Sequence, residues 1–228
     1  MSLRERRLRR IEALQARFPE SAEILRFYRA VLELQAAFDP AASAEANLPR
    51  VLDVVRRAGP PAMARWGGVD DLLRARAEGD PLARWLHILA DPPSGRGPSP
   101  EASSSDVPAR CPGCGEPPLA AVLRDDREAE TLRRTLACPR CAREWAFPRV
   151  VCPSCGEERP EKLPRFSAAD LPWLRIDACE TCSTYLKAVD LSREPEAEPM
   201  VDDLASAALD LVARERGFTR LAPNLAGL

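Results

Sequence analysis

Eight cysteines form the pattern in this 228-residue chain that can carry chemistry. They fall into four C-x-x-C pairs: Cys111/Cys114, Cys138/Cys141, Cys152/Cys155 and Cys179/Cys182. Adding 41 to the number of each cysteine in the first two pairs gives its counterpart in the last two, and "CPGCGE" and "CPSCGE" open the two halves. Such self-similarity reads as an internal duplication. A tetrahedral ion needs four ligands converging from two separated turns, and two C-x-x-C knuckles around a hairpin supply them without histidine. The expected ligand sets are Cys111, Cys114, Cys138, Cys141 and Cys152, Cys155, Cys179, Cys182, each thiolate at about 2.3 Å from the metal. Gly115 and Gly156 follow directly after a knuckle, where a tight turn can aim backbone amides at a thiolate. A module of about 40 residues buries too little apolar surface to fold by itself, so metal binding becomes part of folding. Zinc and iron both suit four sulfurs, and the pattern leaves the choice open.

Other cysteine chemistries fit less well. A thioredoxin-like factor exposes one C-x-x-C at a helix start in a larger α/β sheet, whereas four symmetric pairs distinguish no attacking thiol from a resolving one. Four structural disulfides would suit a secreted chain. The start "MSLRERRLRRIEALQARF" has a basic run but no apolar signal core, so a cytoplasmic protein is expected. No run approaches the roughly 18 apolar residues of a membrane span, and no membrane insertion is expected. The single histidine, His87, excludes a histidine-rich metal centre or a multi-histidine proton relay and reads as a packing or surface residue.

The elements that must position the cysteines are helical on either side. Ser2 and Glu5 have capping-box spacing, and Pro19 with Ser21 marks a new start before Ile24, Phe27, Tyr28, Val31, Leu34 and Phe38, a 3.6-residue apolar period. Further helices are expected around 49–58 and 69–77, and behind Asp80-Pro81, where Leu82, Trp85, Leu86 and Leu89 share a face. Phe27, Tyr28 and Trp85 read as core. Residues 91–110, rich in Pro, Ser and Gly, read as a linker. Strands are expected at 119–123, 131–136, 144–147, 174–177 and 184–189. One more helix is expected at 200–215, with Leu204, Ala207, Ala208, Leu211 and Val212 on one face and Gly217 as its stop. The fold class is therefore α+β: an N-terminal helical domain over 1–90, a linker over 91–110, two tandem rubredoxin-like or zinc-ribbon four-cysteine modules over 111–149 and 150–190, and a C-terminal helical segment over 191–228 that packs on the modules or on the N-terminal domain.

After the knuckles, "CAREWAFPRV" and "CSTYLKAVDL" alternate cationic and aromatic residues. Arg143, Trp145 and Tyr185 are the candidate partner contacts, because aromatics bring apolar area and arginine pairs with carboxylates. Core packing competes for Trp145, Phe147 and Trp173, and solvation or internal pairing for Arg143 and Arg149. The chain holds two lysines, Lys162 and Lys187, and 31 arginines, yet its formal net charge is −2, so no global field draws it to nucleic acid.

The sequence resembles the formate dehydrogenase accessory protein family. The likeness is carried by Tyr28, Leu32 and Gln35; by "RCPGCGEPP" at 110–118; by "LACPRCAREWAFPRVVCPSCG" at 136–156; by "DACETCSTYLKAVDL" at 177–191; and by "VDDLASAALDLVARERGFTRLAPN" at 201–224. It implies rubredoxin-like modules holding a metal on all eight cysteines. It also implies a cytoplasmic factor that matures or activates formate dehydrogenase, with the immature catalytic subunit as partner and no catalysis of formate oxidation. A zinc-ribbon nucleic-acid-binding or regulatory protein is the alternative of a different class, and a thiol redox factor a weaker one. The acidic residues around 194–203 oppose a polyanion at that face. Elemental analysis of cleanly prepared, reduced protein is expected to return two metal ions per chain, zinc or iron; fewer than one would count against the paired sites.

Overall fold

The computed structural model describes residues 1–39, 41–91, 109–126 and 131–227. Most of the expected linker, 92–108, lies outside the described residues. Five helices open the chain: α1 (Leu3–Arg17), α2 (Ala22–Gln35), α3 (Ala44–Ala58), α4 (Val69–Ala77) and α5 (Pro81–Ala90). The starts of α1, α3 and α5 are chemically marked by side-chain caps. The Ser2 hydroxyl accepts from the Glu5 amide while the Glu5 carboxylate accepts from the Ser2 amide, and the Asp80 carboxylate accepts from the amides of Leu82 and Ala83 ahead of the N1 proline. Consecutive helices pack on one another, with α3 also against α5, around Ile11, Leu25, Phe27, Tyr28, Val31, Leu48, Val51, Leu72, Trp85 and Leu86. His87 is buried on α5 with Nε2 3.1 Å from Glu45, and the Trp85 indole donates to the carbonyl of Pro223 at 2.7 Å, tying the C-terminal stretch of the chain to the bundle.

The strands of the cysteine-bearing half form one sheet. Its strands are β1 (Ala120–Asp126), β2 (Thr131–Ala137), β3 (Glu144–Ala146), β4 (Arg165–Ser167), β5 (Leu174–Cys179), β6 (Thr184–Asp190) and β7 (Thr219–Arg220). They run in the order β3-β2-β1-β6-β5-β4, with β7 on β6. At the 41-residue offset β1, β2 and β3 correspond to β4, β5 and β6, although β4 has no strand-like sequence pattern and adds to the expected set. The halves meet where β1 pairs in parallel with β6, Ala121 opposite Ala188 and Val122 opposite Val189. The first strand of one half thus joins the last strand of the other, and both halves point the same way. This join buries β1 from Ala120 to Leu123 on both faces, as a central strand paired in parallel requires. Arg134 of β2 reinforces the seam: its Nη1 donates to the carbonyls of Pro148 and Val151 at 3.0 Å in the segment connecting the halves.

The expected single C-terminal helix is two, α6 (Pro199–Ala205) and α7 (Ala207–Glu215), broken at Ser206. The break changes the buried face. Ala208 and Leu211 are exposed, and Leu209, Asp210 and Ala213 turn inward. The cause is a buried charge network. Lys187 of β6, fully buried, donates to Asp210 Oδ2 at 2.6 Å and to the carbonyls of Asp203 and Ser206 at 2.8 and 3.2 Å. Arg220 of β7 donates to Asp210 Oδ1 at 2.6 Å and to Asp203 Oδ1 at 2.5 Å, and Tyr185 gives its hydroxyl to Asp210 Oδ1 at 2.7 Å. On the other side of α6, Arg7 and Arg10 of α1 reach Glu198 at 2.9 Å and Asp202 at 2.7 Å, and Trp173 donates its indole N–H to Asp202 at 2.8 Å. Burial pushes the Asp202 carboxyl up despite Arg10, whereas Arg220 and Lys187 outweigh burial and hold Asp203 below its ordinary value. Replacing Lys187 by Ala leaves Asp203 and Asp210 with one buried cation between them and is expected to cost about 3–5 kcal/mol, measured by denaturant unfolding of metal-loaded protein.

Candidate metal centres

All eight thiols gather into the two expected sets, with the four sulfurs of each within 4.8 Å of one another. The close pairs cross between knuckles in the same way in both halves. Cys111 lies 3.5 Å from Cys141 and Cys114 3.4 Å from Cys138; Cys152 lies 3.7 Å from Cys182 and Cys155 3.7 Å from Cys179. A tetrahedron with metal–sulfur bonds of about 2.3 Å has edges of about 3.8 Å, so the donor sets fit one ion each. Four soft thiolates suit zinc or iron and fill the tetrahedron, which leaves no coordination position for a substrate or an activated water.

Each knuckle is a turn with a fixed hydrogen-bond frame. The Cys111 amide donates to the Glu116 carbonyl and the Gly115 amide to the Cys111 carbonyl; Cys152, Glu157 and Gly156 repeat this, at 2.8–3.0 Å throughout. Directly after the second cysteine of all four pairs the backbone turns left-handed, at Gly115 (φ 75°), Ala142 (φ 54°), Gly156 (φ 76°) and Ser183 (φ 55°). The amides of Gly113 and Ser154 then point at the sulfurs of Cys111 and Cys152, 3.4 Å away in each case. Two of the four turn positions carry a side chain where L-residues are disfavoured.

The two centres differ around this common frame. At Cys111 burial opposes ionisation, but the Gly113 and Cys114 amides outweigh it and hold the thiol below its ordinary value. At Cys182 burial is outweighed by the Thr184 hydroxyl, 3.0 Å from the sulfur, which brings the thiol down to about 6. Burial pushes Cys114 up to about 11 and Cys138 higher still. Arg143 occupies the position that corresponds to Thr184, and its side chain lies across Gly113, where a Cβ would meet its Nε at 3.1 Å. Cys111, Cys138, Cys152 and Cys179 are buried and Cys155 is exposed.

The three candidate contact residues land elsewhere than a surface reading expects. Trp145 is 4% exposed and packs with Cys111, Cys138 and Leu136 beneath the first centre. Tyr185 is 1% exposed with its hydroxyl committed to Asp210. Strand alternation after each knuckle turns these rings toward the interior, and Arg143 alone of the three is partly exposed. Trp173 is likewise core, with the Arg10 and Arg17 guanidinium groups 5.4 and 4.6 Å from its ring. The residues that sequence reasoning misses are the carboxylates Glu198, Asp202, Asp203 and Asp210. A helix whose apolar stripe is interrupted by acids, in a chain with matching cations at 7, 10, 187 and 220, is the available signal.

Because buried thiols must lose protons to bind metal, apparent metal affinity is expected to fall at least about tenfold per unit of acidification below neutrality, followed with a chromophoric chelator. A Cβ at Gly115 or Gly156 meets nothing within 4 Å, so its cost is conformational alone. Gly115→Ala or Gly156→Ala is expected to lose about 1–2 kcal/mol and Ala142→Gly to lose none, read by chemical unfolding with metal bound.

Comparison with known proteins bears on the whole arrangement. Residues 110–149 match the family model "FdhE, central domain" and residues 150–226 the model "FdhE, C-terminal domain", together more than half of the chain. A "Protein FdhE homolog" of Pseudomonas putida is 42% identical over 122 residues, covering 51% of this chain and 38% of that protein. Another, of Aquifex aeolicus, is 34% identical over 117 residues, covering 51% of this chain and 41% of that protein. The chain thus spans about two fifths of the length of these curated relatives in the matched region. The crystal structure of the FdhE protein from Pseudomonas aeruginosa superposes with a TM-score of 0.66 at 25% identity, over 98% of this chain and 95% of that one. With both cysteine halves and the C-terminal helices inside the family models, and the helical bundle inside the structural match, the chain belongs to the FdhE family.

Proposed function

We propose that the protein is a cytoplasmic accessory factor that matures or activates formate dehydrogenase by binding its immature catalytic subunit, and that it does not itself oxidise formate. The observation that carries this reading is the pair of four-cysteine sets within an FdhE-family chain. Each set takes one tetrahedral ion, zinc or iron, on Cys111, Cys114, Cys138 and Cys141 or on Cys152, Cys155, Cys179 and Cys182, in rubredoxin-like or zinc-ribbon modules. A coordinatively filled ion stabilises a fold and offers no reaction site, which supports a binding role over a catalytic one.

Among the described residues no helix is long and apolar enough to cross a membrane. The client would be held in an assembly-competent state and released once cofactor insertion alters the surface it exposes. Of Arg143, Trp145 and Tyr185, only Arg143, partly exposed beside the first centre, has a side chain that stands where a client can reach it. Deleting the gene in a host that expresses formate dehydrogenase is expected to lower the activity and cofactor content of that enzyme at least tenfold, with recovery on re-expression of this chain. Unchanged activity, abundance and cofactor content would overturn the role.

A further inference from the structure

A cleft of about 470 Å³ lies between α1 and the first cysteine half, outside both metal sets except where Cys138 and Ala142 form part of its wall. This volume falls in the usual range for binding sites. Leu119, Ala137, Leu191, Ala197 and Met200 supply apolar surface. Arg6, Arg9 and Ala13, at helical spacing and all exposed, supply the α1 wall, beside the buried stripe of Arg7, Arg10, Ile11 and Leu14.

Most charges around the cleft are neutralised. Arg124 is paired with Glu144, Arg7 with Glu198 and Arg10 with Asp202. The side chains of Arg6 and Arg9 have no hydrogen-bond or ion-pair partner among the described residues, and neither does that of Glu196 on the opposite side, so two open cations face one open anion. The first two turns of a helix are also the wrong end for cations, because the helix dipole favours negative charge there. Glu198 and Asp202 compensate Arg7 and Arg10. No ion pair compensates Arg6 or Arg9 among the described residues.

We propose that this cleft binds an extended acidic peptide segment of a protein partner, in which carboxylate and apolar side chains alternate. The two-residue period of an extended chain sends carboxylates toward Arg6 and Arg9 and apolar side chains toward Leu119, Leu191 and Met200. Guanidinium–carboxylate pairing fixes the register, and the apolar floor rejects a bare polyanion that brings no hydrophobic side chain. The identity of the segment as part of a formate dehydrogenase subunit rests on the function proposed above; the cleft's preference for acidic peptide does not.

The test uses metal-loaded full chain and a fluorescein-labelled peptide of four Asp-Leu repeats, followed by fluorescence anisotropy. Saturable binding that weakens with salt is expected. The R6E/R9E variant, altered only at exposed positions, is expected to bind at least tenfold more weakly, and A13W, which fills the cleft from α1, to weaken binding similarly. R4E, on the same helix but outside the cleft, is expected to bind as the parent does; circular dichroism and metal content establish that each variant is folded. Equal binding by R6E/R9E overturns the proposal, as does equal binding of a Lys-Leu repeat peptide. Displacement of the Asp-Leu peptide by a single-stranded oligonucleotide of matched charge at equal or lower concentration overturns it in favour of a polyanion site. Expressing R6E/R9E in the deletion host separates the two claims: full rescue overturns the client's use of the cleft and leaves the maturation role standing, whereas intact peptide binding beside an indifferent formate dehydrogenase overturns the maturation role alone.

Discussion

Four buried carboxylates on the segment 198–210, from the N-cap of α6 into α7, hold the two halves of this protein together. Glu198 and Asp202 face α1, and Asp203 and Asp210 face the sheet. Removed from water without partners, each would lose several kcal/mol of hydration. Their cations come from both sides: Arg7 and Arg10 from the bundle, Lys187 and Arg220 from strands of the second half. This segment can therefore satisfy its charges only when bundle and sheet are both docked on it. Pairing of this kind contributes less to net stability than an apolar contact of the same size, but it specifies one arrangement strongly, because any other leaves a charge stranded.

The same logic explains the break at Ser206. A continuous helix would carry Ala208 and Leu211 on the face continued from Leu204. Breaking it lets the carbonyls of Asp203 and Ser206 accept from the Lys187 ammonium as well as from backbone amides and turns Asp210 inward, where Tyr185 and Arg220 also meet it. Tyr185 is thereby committed to the interior.

The metal sets depend on this frame less directly. Their geometry is local, made by knuckles with left-handed turns and by the hairpins that bring the knuckles together. What joins one centre to the other is the parallel β1–β6 pairing and Arg134, which spans from the first half to the segment beginning the second. The duplicated halves have diverged at the sulfurs they serve. Thr184 gives the second centre a hydroxyl close to Cys182, while Arg143 in the corresponding place covers Gly113.

The sequence alone determined what depends on short-range spacing. The capping residues Ser2 and Asp80, the 3.6-residue stripe through Phe27 and Val31, and the two four-cysteine groups at a 41-residue offset were all legible, because caps, helix faces and knuckles are settled within a few residues or by an exact repeat. Tertiary structure decided what depends on partners far apart in the chain. Strand β4, three residues long, exists because β5 offers it hydrogen bonds. The order in which the halves join is set by burial of β1 on both faces; Glu198 and Asp202 turn inward because cations more than a hundred residues away arrive to meet them, and Asp203 and Asp210 because Lys187 and Arg220 do so from the sheet. Alternation placed Trp145 and Tyr185 on strands correctly but could not say which face the helices would cover, since that follows from docking and not from period.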